Sequence, residues 1–315
     1  MQTNVPTKNH ANPQPASVQP RWIPMGLYVL VNKMTGTIVD LDAGCTQSGA
    51  PCVGWSRNFN QYIDHQLWVI TRNNVQGSYR IMSYRAGTYL DLISGKPGPK
   101  SQVAAYNYVG NGDSHLNQEW WISSAFGTKY YTIECARSQT LLEIANGKII
   151  NGTPVTCSPP NHQDHQLWEL QRVSRTQHEI QDIIKSWKPA LVGHLVQPFA
   201  DDVQYLILPS KLRGAIYDET NLFHQAVRKG TFDYGDFVIK AKDAVKTWAR
   251  DRFRLDGYSV LFGIVYGNAS KGPKAYNWYL SPETLSLVFF DPQTNKEYTK
   301  TDLHGFGFEP TFAVL

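Results

Sequence analysis

Three copies of a Gln-x-Trp motif divide the first half of the chain into segments of about fifty residues. The glutamines lie 52 and 48 positions apart, in the motifs Gln66-Leu67-Trp68, Gln118-Glu119-Trp120 and Gln166-Leu167-Trp168. Repetition at a regular period is the sequence signature of a fold built from similar units that bury a common core. The first half is therefore expected to consist of three similar lobes.

A second, shorter repeat precedes each motif and has the pattern of a β-strand. Its copies are residues 36–41, 87–92 and 139–144, which alternate in character and are bounded by Gly and Asn turns. Such runs are typical of short strands. Short strands at this spacing, without helical periodicity, predict a closed all-β body.

Three Gln-x-Trp repeats at this spacing resemble the ricin B-type β-trefoil, over residues 22–172. The resemblance implies that the three tryptophans pack into a shared core and that the glutamines satisfy backbone groups. It also implies that the domain binds carbohydrate, and the known relatives recognise galactose-containing glycans.

Sugar binding requires a carboxylate that accepts hydroxyl hydrogen bonds, an aromatic ring that covers the C–H face, and an amide or imidazole. Lobes one and two each supply this set, with the aromatic residue fifteen positions after the carboxylate. The candidates are Asp40, Trp55, His65 and Gln66 in lobe one, and Asp91, Tyr106, Asn117 and Gln118 in lobe two. The alternative role for the two aspartates is turn capping.

Lobe three departs from this pattern. Its carboxylate is Glu143, and the residue fifteen positions later is Ser158 instead of an aromatic residue. The loss of one aromatic contact removes roughly 1 kcal/mol of binding free energy. We therefore predict two working sites and a degenerate third.

The second half has a different composition, which predicts an α+β domain over residues 178–315, after a short polar linker at 173–177. Apolar residues at helical spacing predict a helix that ends at Pro189 and a second helix from about Asp236. Residues 258–266 are predicted to form one buried strand, and residues 275–280 and 285–290 a strand pair.

Three segments of this half, residues 232–237, 274–278 and 289–293, resemble the papain-like C-terminal domain of the fungal chimerolectins. The resemblance places the nucleophile at Tyr234, the general base at Lys274 and the orienting carboxylate at Asp291. A cysteine protease needs a thiolate beside an imidazole, but no cysteine follows Cys157. Tyrosine has a pKa of about 10 and lysine is normally protonated. We therefore predict a domain without enzymatic activity.

The resemblance has two further implications for this domain. It implies homodimerisation, which needs no cysteine. It also implies a calcium ion, an ion that prefers oxygen ligands, held here by Asp233, Asp236, Asp291 and Gln293. Because Gly235 replaces a carboxylate, we expect the calcium site to be weakened or lost, with Asp233 and Asp236 as helix caps, and we predict no other cofactor.

Two other functions are alternatives to a lectin. One is a glycan-targeted hydrolase with an altered Tyr/Lys/Asp site, and the other is a membrane-acting toxin. A long alternating hairpin rich in Ser and Thr is not evident, which counts against the toxin.

Composition excludes further classes of function. The formal charge is +4 and no tract of five or more Lys or Arg occurs, which argues against a nucleic-acid partner. No apolar run approaches the length of a membrane span. Residues 1–21 are expected to be disordered. A charged start followed by an apolar stretch is not visible, so we expect a cytoplasmic protein with reduced cysteines. The alternative is the disulfide pairs Cys45–Cys52 and Cys135–Cys157.

Overall fold

The computed structural model describes residues 22–57, 64–73, 77–96, 101–110, 113–196, 203–228, 230–252 and 255–315. The predicted disordered tail, residues 1–21, lies outside the described residues. Among the residues described, no helix has the length and apolar character needed to cross a bilayer.

The first half is a β-trefoil of three four-stranded lobes, as predicted. Lobe one contains β1 (Gly26–Asn32), β2 (Ile38–Leu41), β3 (Ala50–Trp55) and β4 (Trp68–Arg72). Lobe two contains β5 (Tyr79–Ser83), β6 (Tyr89–Leu92), β7 (Ser101–Tyr106) and β8 (Trp120–Ser124). Lobe three contains β9 (Tyr131–Cys135), β10 (Leu141–Ile144), β11 (Thr153–Ser158) and β12 (Trp168–Arg172).

Strand pairing closes this domain on itself. The first and last strands of the three lobes form a six-stranded barrel in the order β1, β4, β5, β8, β9, β12 and back to β1. The hairpins β2–β3, β6–β7 and β10–β11 cover one end of the barrel, because β3, β7 and β11 also pair with one another. A closed barrel leaves no exposed sheet edge.

The three motif tryptophans lie in the centre of this domain, as predicted. Trp68, Trp120 and Trp168 are completely buried in one apolar cluster. Each indole N–H donates to the carbonyl oxygen of the residue just before the carboxylate of its lobe, at 2.9–3.0 Å, the acceptors being Val39, Leu90 and Leu142. The core tryptophan of each lobe thus holds the strand that carries the candidate sugar-binding carboxylate.

The second half is the predicted α+β domain. Its helices are α1 (Gln177–Trp187), α2 (Ser210–Asp218), α3 (Tyr234–Arg252) and α4 (Lys300–Gly305). Its strands are β13 (Ser174–Thr176), β14 (Leu195–Val196), β15 (Gln204–Leu206), β16 (Tyr258–Val260), β17 (Gly263–Ala269), β18 (Gly272–Leu280), β19 (Leu287–Asp291), β20 (Lys296–Tyr298) and β21 (Glu309–Val314). They form a three-stranded sheet, β13-β15-β16, and a six-stranded sheet, β14-β21-β17-β18-β19-β20.

Two sequence predictions for this half were wrong. The expected linker contains β13, which pairs with β15, while the Val173 N–H donates to the Leu27 carbonyl oxygen at 2.8 Å. The expected strand 258–266 is two strands, because β16 pairs with β15 in one sheet and β17 with β18 in the other. The chain changes sheets at Leu261 and Phe262.

The two domains share an apolar core. Leu27, Val69 and Tyr84 of the trefoil belong to the same buried cluster as Leu206 and Trp248 of the second domain. The rings of Tyr84 and Tyr258 meet edge to face at 5.1 Å. All four cysteines are free in the structure, and neither of the alternative pairs, Cys45–Cys52 or Cys135–Cys157, forms a disulfide there.

Candidate functional site

The three candidate carboxylates occupy one position of a repeated turn. Asp40, Asp91 and Glu143 are the third residues of β2, β6 and β10, and all three are buried. Two residues with left-handed φ begin three positions after each carboxylate, namely Ala43-Gly44, Ser94-Gly95 and Asn146-Gly147. At Gly95 a Cβ would lie 2.2 Å from Asn117 Oδ1, so glycine makes room for the polar residue before the motif glutamine.

The fifteen-residue spacing follows from the register of the hairpins. Asp40 is paired with Val53, and Trp55 is therefore its diagonal neighbour two residues further along β3. Asp91 and Tyr106 are related in the same way across β6 and β7. Diagonal neighbours share a face of the hairpin and are within reach of large side chains. The side chains of Trp55 and Tyr106, here called the aromatic platforms, thus lie beside the carboxylates.

In lobe one, the predicted polar residues contact one another directly. His65 Nδ1 lies 2.9 Å from Asp40 Oδ1, and Gln66 Nε2 donates to Asp40 Oδ2 at 2.5 Å. The hydrogen bond to Asp40 raises the pKa of His65. Trp55 is 40% exposed, which leaves its ring available to a ligand.

In lobe two, the carboxylate accepts a hydrogen bond from the motif glutamine. Burial raises the pKa of Asp91 to about 6, although its hydrogen bond from Gln118 acts in the opposite direction. Gln118 also donates to the Asn107 carbonyl oxygen at 2.9 Å and accepts from the Val109 N–H at 3.1 Å. The motif glutamine therefore serves both the backbone and the carboxylate.

In lobe three, neighbouring side chains donate hydrogen bonds to both oxygens of the carboxylate. Ser158 Oγ donates to Glu143 Oε1 at 2.8 Å, and Gln166 Nε2 donates to Oε2 at 2.9 Å. His165 Nε2 lies 3.2 Å from Oε2, and Thr156 Oγ1 lies 3.4 Å from Oε1. His165 and Thr156 were not among the residues predicted from the sequence, although His165 occupies the same place before the motif as His65.

The three residues predicted at the degenerate catalytic position also lie together. Lys274 Nζ is 3.4 Å from Asp291 Oδ2 and 4.1 Å from the centroid of the Tyr234 ring. A carboxylate and the face of an aromatic ring both stabilise an ammonium charge. Lys274 thus contacts both of the other side chains, and among the described residues no contact of an imidazole or thiol with this group is seen.

The residues predicted to bind calcium act mainly as local caps. Asp236 Oδ2 accepts from the Asp233 N–H at 2.8 Å, and Asp233 Oδ1 accepts from the Gly235 N–H at 2.9 Å. Asp291 Oδ1 accepts from the Gln293 N–H at 2.9 Å. Within the described part of the chain, no group of three or more His, Cys, Asp or Glu side chains could hold a metal. As arranged, these residues do not fit a calcium ion.

Two protein-family models match the chain. The one described as ricin-type β-trefoil lectin domain-like matches residues 18–106, 64–158 and 116–183, which together span 166 of the 315 residues. The one described as agglutinin C-terminal matches residues 205–297. No curated protein sequence matches the chain.

Solved structures share the whole architecture. The lectin of Polyporus squamosus, bound to the human-type influenza-binding epitope Neu5Acα2-6Galβ1-4GlcNAc, is 23% identical with a TM-score of 0.76, and the match covers 95% of this chain and 100% of that chain. A second structure, described as a PSL1a–E64 complex, has the same identity and coverage with a TM-score of 0.73.

These likenesses show a common fold across both domains, and the family models identify each domain separately. The trefoil accounts for just over half of the chain and carries the three motifs. The agglutinin C-terminal match lies in the α+β half. Together they show that this chain belongs to the fungal chimerolectin family and that its first half is a carbohydrate-binding domain of the ricin type.

Proposed function

We propose that this chain is a lectin that binds galactose-containing glycans through lobes one and two. The observation that carries the proposal is the contrast among the lobes. In lobes one and two an aromatic platform, exposed Trp55 or partly buried Tyr106, lies diagonally beside a buried carboxylate. Lobe three has Ser158 in that place. The likeness to Polyporus squamosus lectin, whose bound epitope contains galactose, supports this sugar class.

Each part of these sites has a clear role in holding a hexose. The carboxylates of Asp40 and Asp91 accept hydrogen bonds from sugar hydroxyls, and charged acceptors form the stronger kind of hydrogen bond. Trp55 and Tyr106 cover the apolar face of the ring. His65 and Gln66 in lobe one, and Asn117 and Gln118 in lobe two, orient the carboxylates and complete the polar edge.

Lobe three is proposed not to bind sugar. Both carboxylates have partners on each oxygen in lobes one and three, but Glu143 accepts in addition from Ser158, which stands in place of the aromatic platform. A sugar hydroxyl would have to displace these bonds, and it would gain no aromatic contact in return. The binding free energy is therefore expected to be small.

The proposed function is tested on a glycan array that carries galactosides, with the intact protein and three matched variants. Asp40→Ala and Asp91→Ala are each expected to remove one of the two sites, because hydrogen bonds to charged groups contribute about 1.5–3 kcal/mol. Each variant should therefore weaken array binding through the loss of avidity, while the other lobe still binds. Glu143→Ala, the same change in lobe three, is the control and is expected to leave binding unchanged. An intact protein that binds no galactoside would contradict the proposal.

We further infer that the second domain has no cysteine-protease activity. Tyr234 and Lys274 stand where a thiol and an imidazole are needed. Lys274 contacts Asp291 and the ring of Tyr234, and the three side chains supply neither the thiol nor the imidazole of that mechanism.

We propose instead that this domain forms a homodimer. It exposes several large apolar side chains, among them Val196, Phe223, Ile239, Phe306 and Phe312. Burial of such side chains against a second copy would stabilise a dimer.

A further inference from the structure

The strand ends that carry the aromatic platforms lie beside loops of a different lobe. In the cap of the trefoil, Gly54 of β3 is paired with Thr153 of β11, and Ala105 of β7 is paired with Ala50 of β3. Trp55 therefore follows a residue paired with lobe three, and Tyr106 follows one paired with lobe one. The segments concerned are residues 148–152, here called the lobe-three loop, and residues 45–49, the lobe-one loop.

The lobe-three loop is attached to the backbone on both sides of Trp55. Asn151 Oδ1 accepts from the Ser56 N–H at 2.8 Å and from Ser56 Oγ at 2.9 Å. The Gly152 N–H donates to the Gly54 carbonyl oxygen at 3.0 Å. A Cβ on Gly152 would lie 3.9 Å from Trp55 Cζ3, so the loop backbone passes close to the edge of the indole.

The lobe-one loop repeats this arrangement around Tyr106. Ser48 Oγ accepts from the Asn107 N–H at 3.0 Å, and the Gly49 N–H donates to the Ala105 carbonyl oxygen at 2.8 Å. A Cβ on Gly49 would lie within 3.3 Å of the Tyr106 ring, and φ at this glycine is +90°. Ser48-Gly49 and Asn151-Gly152 thus form equivalent clamps, eight and nine positions after Asp40 and Glu143.

Lobe three, which lacks a platform, also lacks the sequence pattern of the clamp. Ser158 is followed by Pro159, which has no N–H to donate. Eight and nine positions after Asp91, the sequence has Pro99 and Lys100 in place of Ser-Gly or Asn-Gly, and these two residues lie outside the described residues. In the part of the chain that the structure describes, the clamp thus accompanies an aromatic platform in two lobes.

We propose that the sugar sites of lobes one and two are composite, each completed by a loop of another lobe. Asn151 and Ser48 act as positioning residues: they fix the backbone just after Trp55 and Tyr106 and so set the angle of the platform over the sugar. The proposal rests on the proposed function, because it assigns no new ligand. It identifies Asn151 as a determinant of a site whose carboxylate lies in a different lobe.

The two loops also give the two sites different surroundings. The lobe-three loop exposes Ile149 and Ile150 next to the lobe-one site, with 69% and 72% of their surface accessible. The lobe-one loop exposes Thr46 and Gln47 next to the lobe-two site. The part of a glycan that follows the terminal sugar would therefore meet an apolar loop at the lobe-one site and a polar loop at the lobe-two site.

Each site is measured alone, in a variant that lacks the carboxylate of the other site, and its clamp residue is then substituted. Asp91→Ala leaves only lobe one to bind, and Asp40→Ala leaves only lobe two. Affinity for N-acetyllactosamine is measured by titration calorimetry in both backgrounds. Asn151→Ala is expected to lower the affinity about fivefold or more in the Asp91→Ala background, since two hydrogen bonds are lost, and to change it less than about twofold in the other. Ser48→Ala is expected to show the reverse pattern.

Conservative variants separate positioning from general destabilisation. Asn151→Asp and Ser48→Thr keep the acceptor oxygen and are expected to restore the affinity. Thermal melting of each variant monitors the fold. If Asn151→Ala has no effect on lobe one, or affects both backgrounds equally at unchanged melting temperature, the composite site is overturned. If the intact protein does not bind N-acetyllactosamine, the proposed function fails for this ligand and the composite site fails with it.

Discussion

Asp40, Asp91 and Glu143 occupy one position of the repeat but meet different hydrogen-bond donors. Asp40 contacts both an imidazole and an amide, and Glu143 contacts two hydroxyls in addition. Asp91 accepts a hydrogen bond from Gln118. Residues that look equivalent in the sequence therefore have different hydrogen-bonding surroundings, and burial raises the pKa of Asp91 to about 6.

This difference predicts that the two sites respond unequally to acid. The pKa of Asp91 is raised, so it is a carboxylate above about pH 6 and loses its charge as the pH falls through that value. One unit below the pKa only about a tenth of the groups remain ionised. In the Asp40→Ala background, where lobe two alone binds, the affinity for N-acetyllactosamine is expected to fall about tenfold between pH 7 and pH 5.

The matched measurement uses the Asp91→Ala background, in which lobe one alone binds. The pKa of His65 is raised by its hydrogen bond to Asp40, so acidification only strengthens the positive partner of that carboxylate. Affinity is expected to change less than about threefold over the same pH range. Equal pH dependence in the two backgrounds would refute this assignment.

At the scale of the element, the turn after β6 links local backbone geometry to the site. Gly95 has φ of +56°, and a Cβ there would lie 2.2 Å from Asn117 Oδ1. Gly95→Ala is expected to lower the free energy of unfolding by about 2–4 kcal/mol, through the left-handed φ and the overlap together. It is also expected to weaken sugar binding at lobe two, because Asn117 must move.

Gly36→Ala is the control for this turn. Gly36 has a similar φ of +67°, but no atom lies within 4 Å of its Cβ position. The free energy of unfolding of the control variant should fall by only about 1–2 kcal/mol. Urea denaturation of both variants measures these two losses. Equal losses would show that the overlap with Asn117 does not contribute to the destabilisation by Gly95→Ala.

The elements that the sequence predicted well are those with a local or repeated signal. The motif repeat located the core tryptophans and the carboxylates, and helical spacing located α1 and α3. The strand β13 was missed because Ser174, Arg175 and Thr176 are polar and pair with residues thirty positions away. The clamps were missed because their partners lie 59 and 95 positions apart, although an Asn-Gly and a Ser-Gly at matching places were a usable signal.

At the scale of the molecule, the shared core fixes the trefoil on the second domain. Leu27 and Tyr84 pack in the same cluster as Leu206 and Trp248, so the sugar sites cannot reorient freely. If the second domain dimerises, four sites have fixed relative positions, and multivalent glycans gain affinity through effective concentration.

We therefore expect light scattering after size-exclusion chromatography to give twice the chain mass of 35.6 kDa. The double variant Asp40→Ala/Asp91→Ala should keep this mass while losing glycan binding, because the proposed interface lies in the other domain. A single-chain mass for the intact protein would contradict the dimer, and a single-chain mass for the double variant alone would place the trefoil in the interface.

The clamp of Asn151 on Ser56 means that the three lobes are interlocked and not merely repeated. Lobe three has no platform of its own, yet its loop completes the site of lobe one. A lobe three transplanted from another trefoil would thus close the barrel but bring the wrong loop beside Trp55. The lobe that is proposed not to bind sugar can change its own ligand contacts, but a change at Asn151 would alter the site of lobe one.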